Sequence, residues 1–565
     1  MKQLIECVPN ISEGRDANLI KLVTDEIEKV EGVKLLDVDP GATTNRTVIT
    51  FVGEPEPVCE AAFRVVKKAG ELIDMRHHHG DHPRFGATDV CPLVPVANIS
   101  MDEVVKYAHK LAERIGTELN IPVFCYENAA REPKRRNLAS CRQGEYEALS
   151  ERIVTKEWKP DFGPDTWSEH TAKTGATAVG ARDFLIAVNY NLNTTSTRRA
   201  NAIAFDVREK GRPQREGGKP NGKPMTDANG KKIMIPGTLK GTKAIGWFIE
   251  EYGIAQVSMN ITNVRQTPLH IAFDEVSAKA AARGVRVTGI EIVGLVPKST
   301  LIEAGKHYLA KQQRSLGVSE EEIIKIAIKS MGADDLKPFN PKEKIIEYMI
   351  EDENKKRLID MTCKDFANET SSESPAPGGG SISAYVAALG VSLGTMVANL
   401  SSHKPGWDDR WEEFSKWAEK GQALKDELLH LVDEDTVSFN KIMEAFGLPK
   451  KTEAEKNARH EAIQAATKYA IEIPFRTLKK SFEVFEICQA MVKIGNPNSI
   501  TDAGVGILCA KAACYGAFMN MQINAGSLED KNFVENVLAE GKNILAKADA
   551  MEKEYTTMVM KQIGA

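Results

Sequence analysis

The chain has 565 residues, of which 42% are hydrophobic and 27% charged, and its formal net charge is −5. This length allows three or four domains, and the composition is that of an ordinary soluble protein. The small negative charge argues against nucleic acid or an anionic membrane as the main partner.

The first 130 residues alternate strand-like and helix-like segments in the order βαββαβ. The predicted strands are residues 4–8, 33–38, 48–52 and 89–96, and the predicted helices between them are residues 16–30 and 57–75. This is the order of the split βαβ, or ferredoxin-like, unit. A further helix over 101–119 and a strand over 121–126 follow it.

The same order recurs after a polar, glycine-containing bridge over residues 158–182. Its predicted strands are 184–191, 244–250, 255–261 and 285–295, and its helices are 196–210 and 268–283. Two similar half-domains suggest a sandwich with a cleft that would suit a substrate. Residues 211–240, rich in Gly, Pro and Lys, are interpreted as a flexible loop or small hairpin, with a surface insertion as the favoured reading.

Strand signals vanish from residue 355 onward. Helices over 298–312 and 319–331 precede this point, and long helices over 381–400, 407–446, 451–493, 500–523 and 532–563 follow it. The uncharged segment 381–400 approaches the length of a membrane span, but its small residues favour a buried bundle helix. The predicted fold class is α/β (α+β): a two-subdomain βαββαβ-type sandwich fused to an all-α helical bundle. The predicted domain bounds are 1–178, 179–332, a linker over 333–354, and 355–565.

Residues 74–91, which lead into the fourth predicted strand, form a histidine-rich segment. His77 to His79 are consecutive, so their side chains point different ways and a solvated turn is favoured for them. A metal site using His77 and His82 is an alternative that no Cys pair or His-Glu-x-x-His pattern supports. Pro83 restricts the backbone of His82, and Arg84 could hold an anionic substrate. We therefore predict that His82 is a catalytic acid or base.

A second group of residues lies in the helical part. The glycine-rich run 374–381 either leaves backbone N–H groups free for an anion or simply caps a tightly packed helix. Asp433 and Asp435 lie two residues apart on one helix and face different sides. A carboxylate pointing into the bundle would have a raised pKa and could act as a general acid. Four polar residues near apolar helices could satisfy each other or line a pocket: Asn496, Asp502, Asn520 and Asn524.

Several longer motifs occur in a fixed order along nearly the whole chain. They are Glu6-Cys-Val-Pro-Asn-Ile-Ser-Glu-Gly-Arg15, Leu36-Asp-Val-Asp39, Thr44-Asn-Arg46, Asp81-His-Pro-Arg84, Asp161-Phe-Gly-Pro164 and Ser374-Pro-Ala-Pro-Gly-Gly-Gly-Ser381. Together they resemble the formimidoyltransferase-cyclodeaminase family, bifunctional enzymes of histidine breakdown. The resemblance implies transfer of a formimidoyl group from N-formimidoyl-L-glutamate to tetrahydrofolate, which releases L-glutamate. It also implies cyclisation of 5-formimidoyltetrahydrofolate to 5,10-methenyltetrahydrofolate, which releases ammonia.

The resemblance also assigns residues to these reactions. The transferase histidine falls on His82, and chemistry and motif position make Asp39 and Arg84 candidates for orienting it and the substrate carboxylates. The proton donor of the cyclodeaminase falls on Asp435. The folate-contacting residues of the first part fall on Gly163, Pro164, Asp165, Thr166, Trp167 and Gly175. The predicted folate contacts of the second part are Gly378, Gly379, Asn496 and Asp502.

The expected partners follow from the same resemblance. Tetrahydrofolate is expected as co-substrate, with no metal or nucleotide cofactor, and the folate is expected to carry a polyglutamate tail. The helical part is expected to self-associate, and neither nucleic acid nor a membrane span is expected. Nine scattered cysteines and an N-terminus without a signal-peptide pattern favour a cytoplasmic location. The alternatives are a transferase with a structural, non-catalytic helical part and a non-catalytic folate-binding scaffold.

Overall fold

The computed structural model describes residues 3–42, 44–80, 83–218, 222–350 and 357–564. The chain divides into two compact units. The α/β unit comprises Met1–Leu301 and Met331–Glu351, and the helical unit comprises Ile302–Ser330 and Asp352–Ala565. The α/β class and the all-helical second part agree with the predicted fold class, while the predicted domain bounds stay predictions.

The first sheet of the α/β unit has seven strands. They are β1 (Leu4–Cys7), β2 (Asn10–Ile11), β3 (Val33–Gly41), β4 (Arg46–Gly53), β5 (Thr88–Ala97), β6 (Val123–Glu127) and β7 (Thr177–Ala181). Strands β1 and β2 lie between β4 and β5, and all pairings among β1 to β5 are antiparallel. This is the predicted ferredoxin-like arrangement, to which β7 and β6 add two parallel strands.

Helices pack against both faces of this sheet. They are α1 (Ala17–Glu28), α2 (Pro55–Leu72) and α3 (Met101–Glu118), followed by the short α4 (Leu138–Cys141), α5 (Leu149–Arg152) and α6 (Glu169–Thr174). Local sequence sets their starts: Asp16 caps α1, and Ser100 with Glu103 forms a capping box at α3. The apolar residues of α1, α2 and α3 enter one core with the strands. Cys141 of α4 and Leu149 of α5 join a second core, with Val90 and Phe124, on the other face.

The bridge predicted over residues 158–182 is not wholly irregular. It contains the helix α6 and the strand β7, which pairs in parallel with both β5 and β6. The residues of β7 are Thr-Ala-Val-Gly-Ala, all of them buried. Small residues without alternation give no strand signal, so the two neighbouring strands impose the extended conformation here.

The second sheet repeats the arrangement. Its elements are β8 (Ile186–Leu192), α7 (Thr197–Val207), β11 (Thr242–Ile249), β12 (Ile254–Ile261), α8 (Leu269–Ala281) and β13 (Val287–Val293). The strand order is β11-β12-β8-β13, with every pairing antiparallel. Between α7 and β11, β9 (Arg212–Pro213) and β10 (Met234–Ile235) form the small hairpin that was one of the two predictions for residues 211–240.

Four helices follow the second sheet. They are α9 (Lys298–Lys311), α10 (Glu320–Met331), α11 (Pro341–Lys344) and α12 (Ile346–Met349). The last two lie within the predicted linker. Ile345 and Ile346 are fully buried, and the backbone of Val296 bonds to that of Lys344 and Ile346. This part of the predicted linker therefore packs onto the α/β unit.

The helical unit contains most of α9 and α10, the short α13 (Cys363–Thr370) and a bundle of long helices. The long helices are α14 (Gly379–Ser402), α15 (Trp411–Gly447), α16 (Glu453–Ile494), α17 (Ile500–Ala525) and α18 (Lys531–Gln562). Helix α14 is long and apolar enough to cross a membrane, but 61% of its most apolar window is buried inside the unit. Its residues join a core shared by α14 to α18, as the sequence predicted for a bundle helix.

Candidate active sites

The histidine-rich segment is anchored to the turn between β3 and β4. Nε2 of His78 lies 2.8 Å from the carbonyl oxygen of Asn45, and the Asn45 amide donates to the carbonyl oxygen of His79 at 3.0 Å. Nδ1 of His78 accepts from Nε of Arg84, so Nε2 carries the ring proton. Burial lowers the pKa of His78, and the nearby guanidinium acts in the same direction. The prediction of a solvated turn is therefore wrong for His78, which is 7% exposed.

Arg84 is the centre of an ionic cluster. Its guanidinium makes two bonds to Glu147, at 2.8 and 2.9 Å, and one to Glu145 at 3.1 Å. The same group donates to the carbonyl oxygen of His78. Arg84 is buried, whereas both glutamates are largely exposed. The arginine predicted to hold substrate carboxylates thus already holds two carboxylates of the protein, beside a cavity of about 510 Å³.

The segment 163–175 lies against the end of the histidine-rich segment. The backbone of Phe85 accepts from Ala176, and an isolated bridge joins Gly86 to Gly175. Gly175 has a φ of 65°, and a Cβ there would collide with the Phe85 carbonyl, so only glycine fits. Arg76 also pairs with Glu169 of α6 at 2.7 Å. The structure therefore brings the predicted folate segment and the histidine-rich segment together.

Within segment 163–175 the predicted residues have different surroundings. Gly163, with a φ of 82°, packs against the carbonyl of Ile121, and Pro164 follows it without regular secondary structure. Asp165 pairs with Lys159 at 2.9 Å. The ring of Trp167 packs at 5.9 Å against Tyr146, while the Thr166 carbonyl accepts from the Thr171 hydroxyl at 3.3 Å. Trp167 with Tyr146 supplies an aromatic surface for a flat ring.

Asp39 lies on the exposed edge strand β3, opposite Val48 of β4. The turn that follows β3 contains Asn45, which bonds to His78 and His79. His82 and its neighbour Asp81 lie outside the described residues. The catalytic role predicted for His82 stays a prediction, as do the orienting roles of Asp39 and Arg84.

The second candidate site lies at the N-terminus of α14. The residue before this helix is Gly378, which has no side chain to cap it. Asp435 of α15 serves instead: its Oδ2 accepts the backbone N–H of Ser381 at 2.9 Å and the Ser381 hydroxyl at 3.1 Å. Burial raises the pKa of Asp435, and the two bonds from Ser381 oppose that rise without cancelling it. The inward-pointing carboxylate considered from sequence is therefore Asp435.

Two glycines let side chains approach this helix end. A Cβ at Gly380 would collide with the carboxyl group of Asp435, and a Cβ at Gly379 would lie 3.0 Å from Nδ2 of Asn520. Asn520 belongs to α17 and also donates to its own helix at Gly516. The glycine-rich run thus gathers a carboxyl group and an amide around free backbone N–H groups, which suits a polar substrate.

Asn496 and Asp502 lie at the opposite end of α14. The backbone N–H of Asn496 donates to Oγ of Ser401, twenty residues along the helix from Ser381. At 1.5 Å per residue this separates them from Asp435 by about 30 Å within one chain. Asp502 lies in the first turn of α17, at that same far end. The structure does not join these two residues to the Asp435 site in one chain.

Comparisons with known proteins cover both units. The family described as "Formiminotransferase domain, N-terminal subdomain" matches residues 4–182, "Formiminotransferase domain" matches 187–351, and "Formiminotransferase-cyclodeaminase" matches 362–543. The formimidoyltransferase-cyclodeaminase of Gallus gallus is 40% identical over 534 residues, which is 94% of each chain. The chain belongs to the formimidoyltransferase-cyclodeaminase family.

Two further relatives match one part each. The glutamate formimidoyltransferase of Thermoplasma acidophilum is 42% identical over 54% of this chain and 92% of its own length. The methenyltetrahydrofolate cyclohydrolase of Methylorubrum extorquens is 35% identical over 35% of this chain and 97% of its own length. Each of these two parts of the chain therefore has a relative that matches it over nearly the relative's whole length.

Sequence reasoning missed several residues that build these sites. Glu145 and Glu147 lie in a loop without periodicity, so no pattern pointed to them as partners of Arg84. Ser381 was noted only as the end of the glycine-rich run. Asn520 was noted only as a polar residue near apolar helices; its nearness to Gly379 depends on helix packing. Asn45 was part of a recognised motif, which was the one available signal.

Proposed function

We propose that this protein is a bifunctional folate enzyme of histidine degradation, with glutamate formimidoyltransferase activity in the α/β unit and formimidoyltetrahydrofolate cyclodeaminase activity in the helical unit. The observation that carries the proposal is the partly buried carboxyl group of Asp435 against the N-terminus of α14, a candidate proton donor in a unit separate from the histidine-rich segment. The matches of both units to the family support the assignment of one reaction to each.

In the first reaction, N5 of tetrahydrofolate attacks the formimidoyl carbon of formimidoylglutamate. The new N–C bond forms as the bond from that carbon to the glutamate nitrogen breaks. His82 accepts the proton that N5 loses and delivers it to the leaving nitrogen, so the histidine returns to its starting state. The anchored flanks of the segment, His78 and Arg84, hold the chain on either side of this position.

In the second reaction, N10 attacks the carbon of the protonated formimidoyl group of 5-formimidoyltetrahydrofolate, and the C=NH2+ nitrogen becomes an amine. Asp435 gives its proton to the amine nitrogen on that carbon, the C–N bond breaks and ammonia leaves. The proton that N10 loses restores the acid. A carboxyl group needs a raised pKa to hold a proton for this purpose near neutral pH, and burial of Asp435 acts in that direction.

A paired assay on the full chain tests both assignments. Wild type, His82→Ala and Asp435→Asn receive formimidoylglutamate and tetrahydrofolate, and glutamate, ammonia and methenyltetrahydrofolate are followed. We expect His82→Ala to stop glutamate release, and Asp435→Asn to release glutamate without enzymatic ammonia. Wild type that releases glutamate but does not accelerate ammonia formation would leave only the transferase.

The relative that is a methenyltetrahydrofolate cyclohydrolase favours a second candidate activity for the helical unit. In that case water would attack the methenyl carbon and open the ring to a formyl group. Purified methenyltetrahydrofolate incubated with wild type and Asp435→Asn distinguishes the two. Loss of methenyl absorbance at the uncatalysed rate supports the cyclodeaminase alone, whereas faster loss with wild type only would add the hydrolase.

We also infer that the helical unit binds a second copy of the chain. Helices α14 and α17 pack together and expose a stripe of large apolar side chains. Its members, between 39% and 49% exposed, are Leu389, Met396, Leu400, Val505 and Leu508. Such a surface on a soluble protein favours an interface, and a twofold dimer would cover it with itself. Light scattering should give a mass of at least two chains for wild type and a smaller one for Leu508→Glu.

A cytoplasmic location is proposed as well. All nine cysteines are free thiols, and most are buried, which suits a reducing compartment. Fractionation of the native cells should recover both activities with the soluble cytoplasmic enzymes.

A further inference from the structure

Ser381 offers one hydroxyl proton to two acceptors. Its Oγ lies 3.1 Å from Oδ2 of Asp435 and 2.9 Å from the carbonyl oxygen of Val432, and it is fully buried. A hydroxyl group rotates toward the stronger acceptor. It therefore donates to Asp435 when the carboxyl group is ionised, and to Val432 when the carboxyl group is protonated and neutral.

The two oxygens of Asp435 differ in their surroundings. Among the residues that the structure describes, both hydrogen bonds to this carboxyl group reach Oδ2, one from the backbone and one from the hydroxyl of Ser381. An oxygen that accepts two donors is not the one that carries the acid proton. Oδ1, which lies beside Gly380, is therefore the oxygen that gives the proton away.

Charged neighbours do not explain the state of Asp435. Helix α14 contains no charged residue, and α17 contributes the neutral Asn520 at this point. On α15, Glu434 is engaged by the hydroxyl of Tyr469 from α16 and lies 3.6 Å from His430. Asp433, two residues earlier on α15, accepts the backbone N–H of Leu358. Burial raises the pKa of Asp435, and the two bonds from Ser381 lower it.

We propose that Ser381 is a positioning residue of the cyclodeaminase site: its backbone N–H fixes Oδ2 of Asp435, and its hydroxyl stabilises the carboxylate that remains after Oδ1 has given its proton to the departing amine. This inference rests on the proposed cyclodeaminase reaction. Hydrogen bonds to a charged group favour the charged form. The hydroxyl therefore opposes the rise in pKa that burial causes, and Asp435 can release its proton to the substrate.

The consequence is a shift of the pH profile. A general acid loses activity as the pH rises through its pKa, because it no longer holds a proton. Removing the hydroxyl disfavours the ionised form and raises that pKa. We expect the falling limb of kcat for Ser381→Ala to move upward by about one pH unit, the size of one charge-assisted hydrogen bond. Ser381→Thr keeps a hydroxyl and should keep the wild-type limb.

The experiment supplies 5-formimidoyltetrahydrofolate directly to the full-length protein and follows methenyltetrahydrofolate between pH 5 and 9. Wild type, Ser381→Ala, Ser381→Thr and Ser381→Cys are compared, and transferase activity is measured as a check on folding. Cysteine carries a weaker donor at the same place and should shift the limb in the same direction as alanine. It takes the place of the alanine variant if that one fails to fold.

Two results would overturn the inference. A falling limb that stays in place for both Ser381→Ala and Ser381→Cys would show that the hydroxyl does not act on Asp435, even if kcat drops. A limb that moves downward would show that it favours the neutral acid. Failure of wild type to accelerate methenyltetrahydrofolate formation at any pH would instead contradict the proposed cyclodeaminase activity itself.

Discussion

At the scale of single residues, the position of the Arg84 guanidinium depends on the carboxylates that bind it. We predict that Glu147→Gln lowers kcat of the transferase by about tenfold, because it breaks the two-point pair that fixes Arg84 and, through it, His78. Glu145→Gln, which removes a single longer bond, is the matched control and should cost less. Steady-state kinetics with formimidoylglutamate measures both.

The same kinetics distinguish two roles for Glu147. If Glu147 only positions the arginine, its loss lowers kcat and leaves the KM for formimidoylglutamate nearly unchanged. A lower KM with undiminished kcat would contradict this and would mean that Glu147 competes with a substrate carboxylate for the guanidinium. The cyclodeaminase rate from supplied 5-formimidoyltetrahydrofolate should stay the same in either case, since Asp435 lies in the other unit.

Glu6 is a buried acid that takes no part in the proposed reactions. It is 4% exposed on β1, and burial raises its pKa to about 7, against the opposing effect of Arg182. Because the folded state holds a proton that the unfolded state releases above about pH 4.5, stability falls as the pH rises from there to about 7. We predict that wild type loses about 2 kcal/mol more than Glu6→Gln between pH 5 and 8.

Urea unfolding at both pH values, followed by circular dichroism, measures this difference. The glutamine variant is nearly isosteric and cannot ionise, so it serves as the reference for all other titrating groups. Equal pH dependence of the two proteins would show that Glu6 is already ionised in the folded state, held by Arg182.

At the scale of elements, the glycines at the start of α14 leave space for the Asp435 carboxyl group. We predict that Gly380→Ala lowers the cyclodeaminase rate at least tenfold, because its methyl group would occupy the space of the Asp435 carboxyl group. Gly526→Ala, directly after α17, is the matched control: its Cβ would meet only the Ile523 carbonyl, at 3.6 Å, and its φ of −60° suits any residue. Rates from 5-formimidoyltetrahydrofolate measure the effect.

Transferase activity should be unchanged in both glycine variants. Equal cyclodeaminase rates for Gly380→Ala and wild type would mean that Asp435 can leave its place at the helix N-terminus without cost, and would weaken its assignment as the proton donor.

The same elements show what the sequence could and could not predict. Long segments with strong periodicity, such as α14 to α18 and the βαββαβ repeats, were predicted because local pattern and burial agree. Strand β7 was missed because only its pairing with β5 and β6 makes it a strand. Spacing alone showed that Asp433 and Asp435 face different sides, but which of them points inward depends on the packing of α15 against the glycines of α14. Resemblance, not periodicity, selected Asp435.

At the scale of the whole molecule, each unit has a hydrophobic core of its own. Phe51 of β4 is fully buried in the core that the first sheet forms with α1, α2 and α3, and Phe485 of α16 is fully buried in the core of the helical unit. Truncating either ring to alanine removes about 3–5 kcal/mol from the unit that contains it. We predict that Phe51→Ala lowers the temperature at which the transferase is lost, and that Phe485→Ala does the same for the cyclodeaminase.

Heating each variant and then assaying both reactions separately measures this, with each variant as the control for the other. Domains with separate cores unfold as separate cooperative units, so the unaffected activity should survive to the wild-type temperature. Simultaneous loss of both activities in both variants would show that the two units unfold as one. The two reactions would then depend on a single stability, and substitutions in either core would remove both.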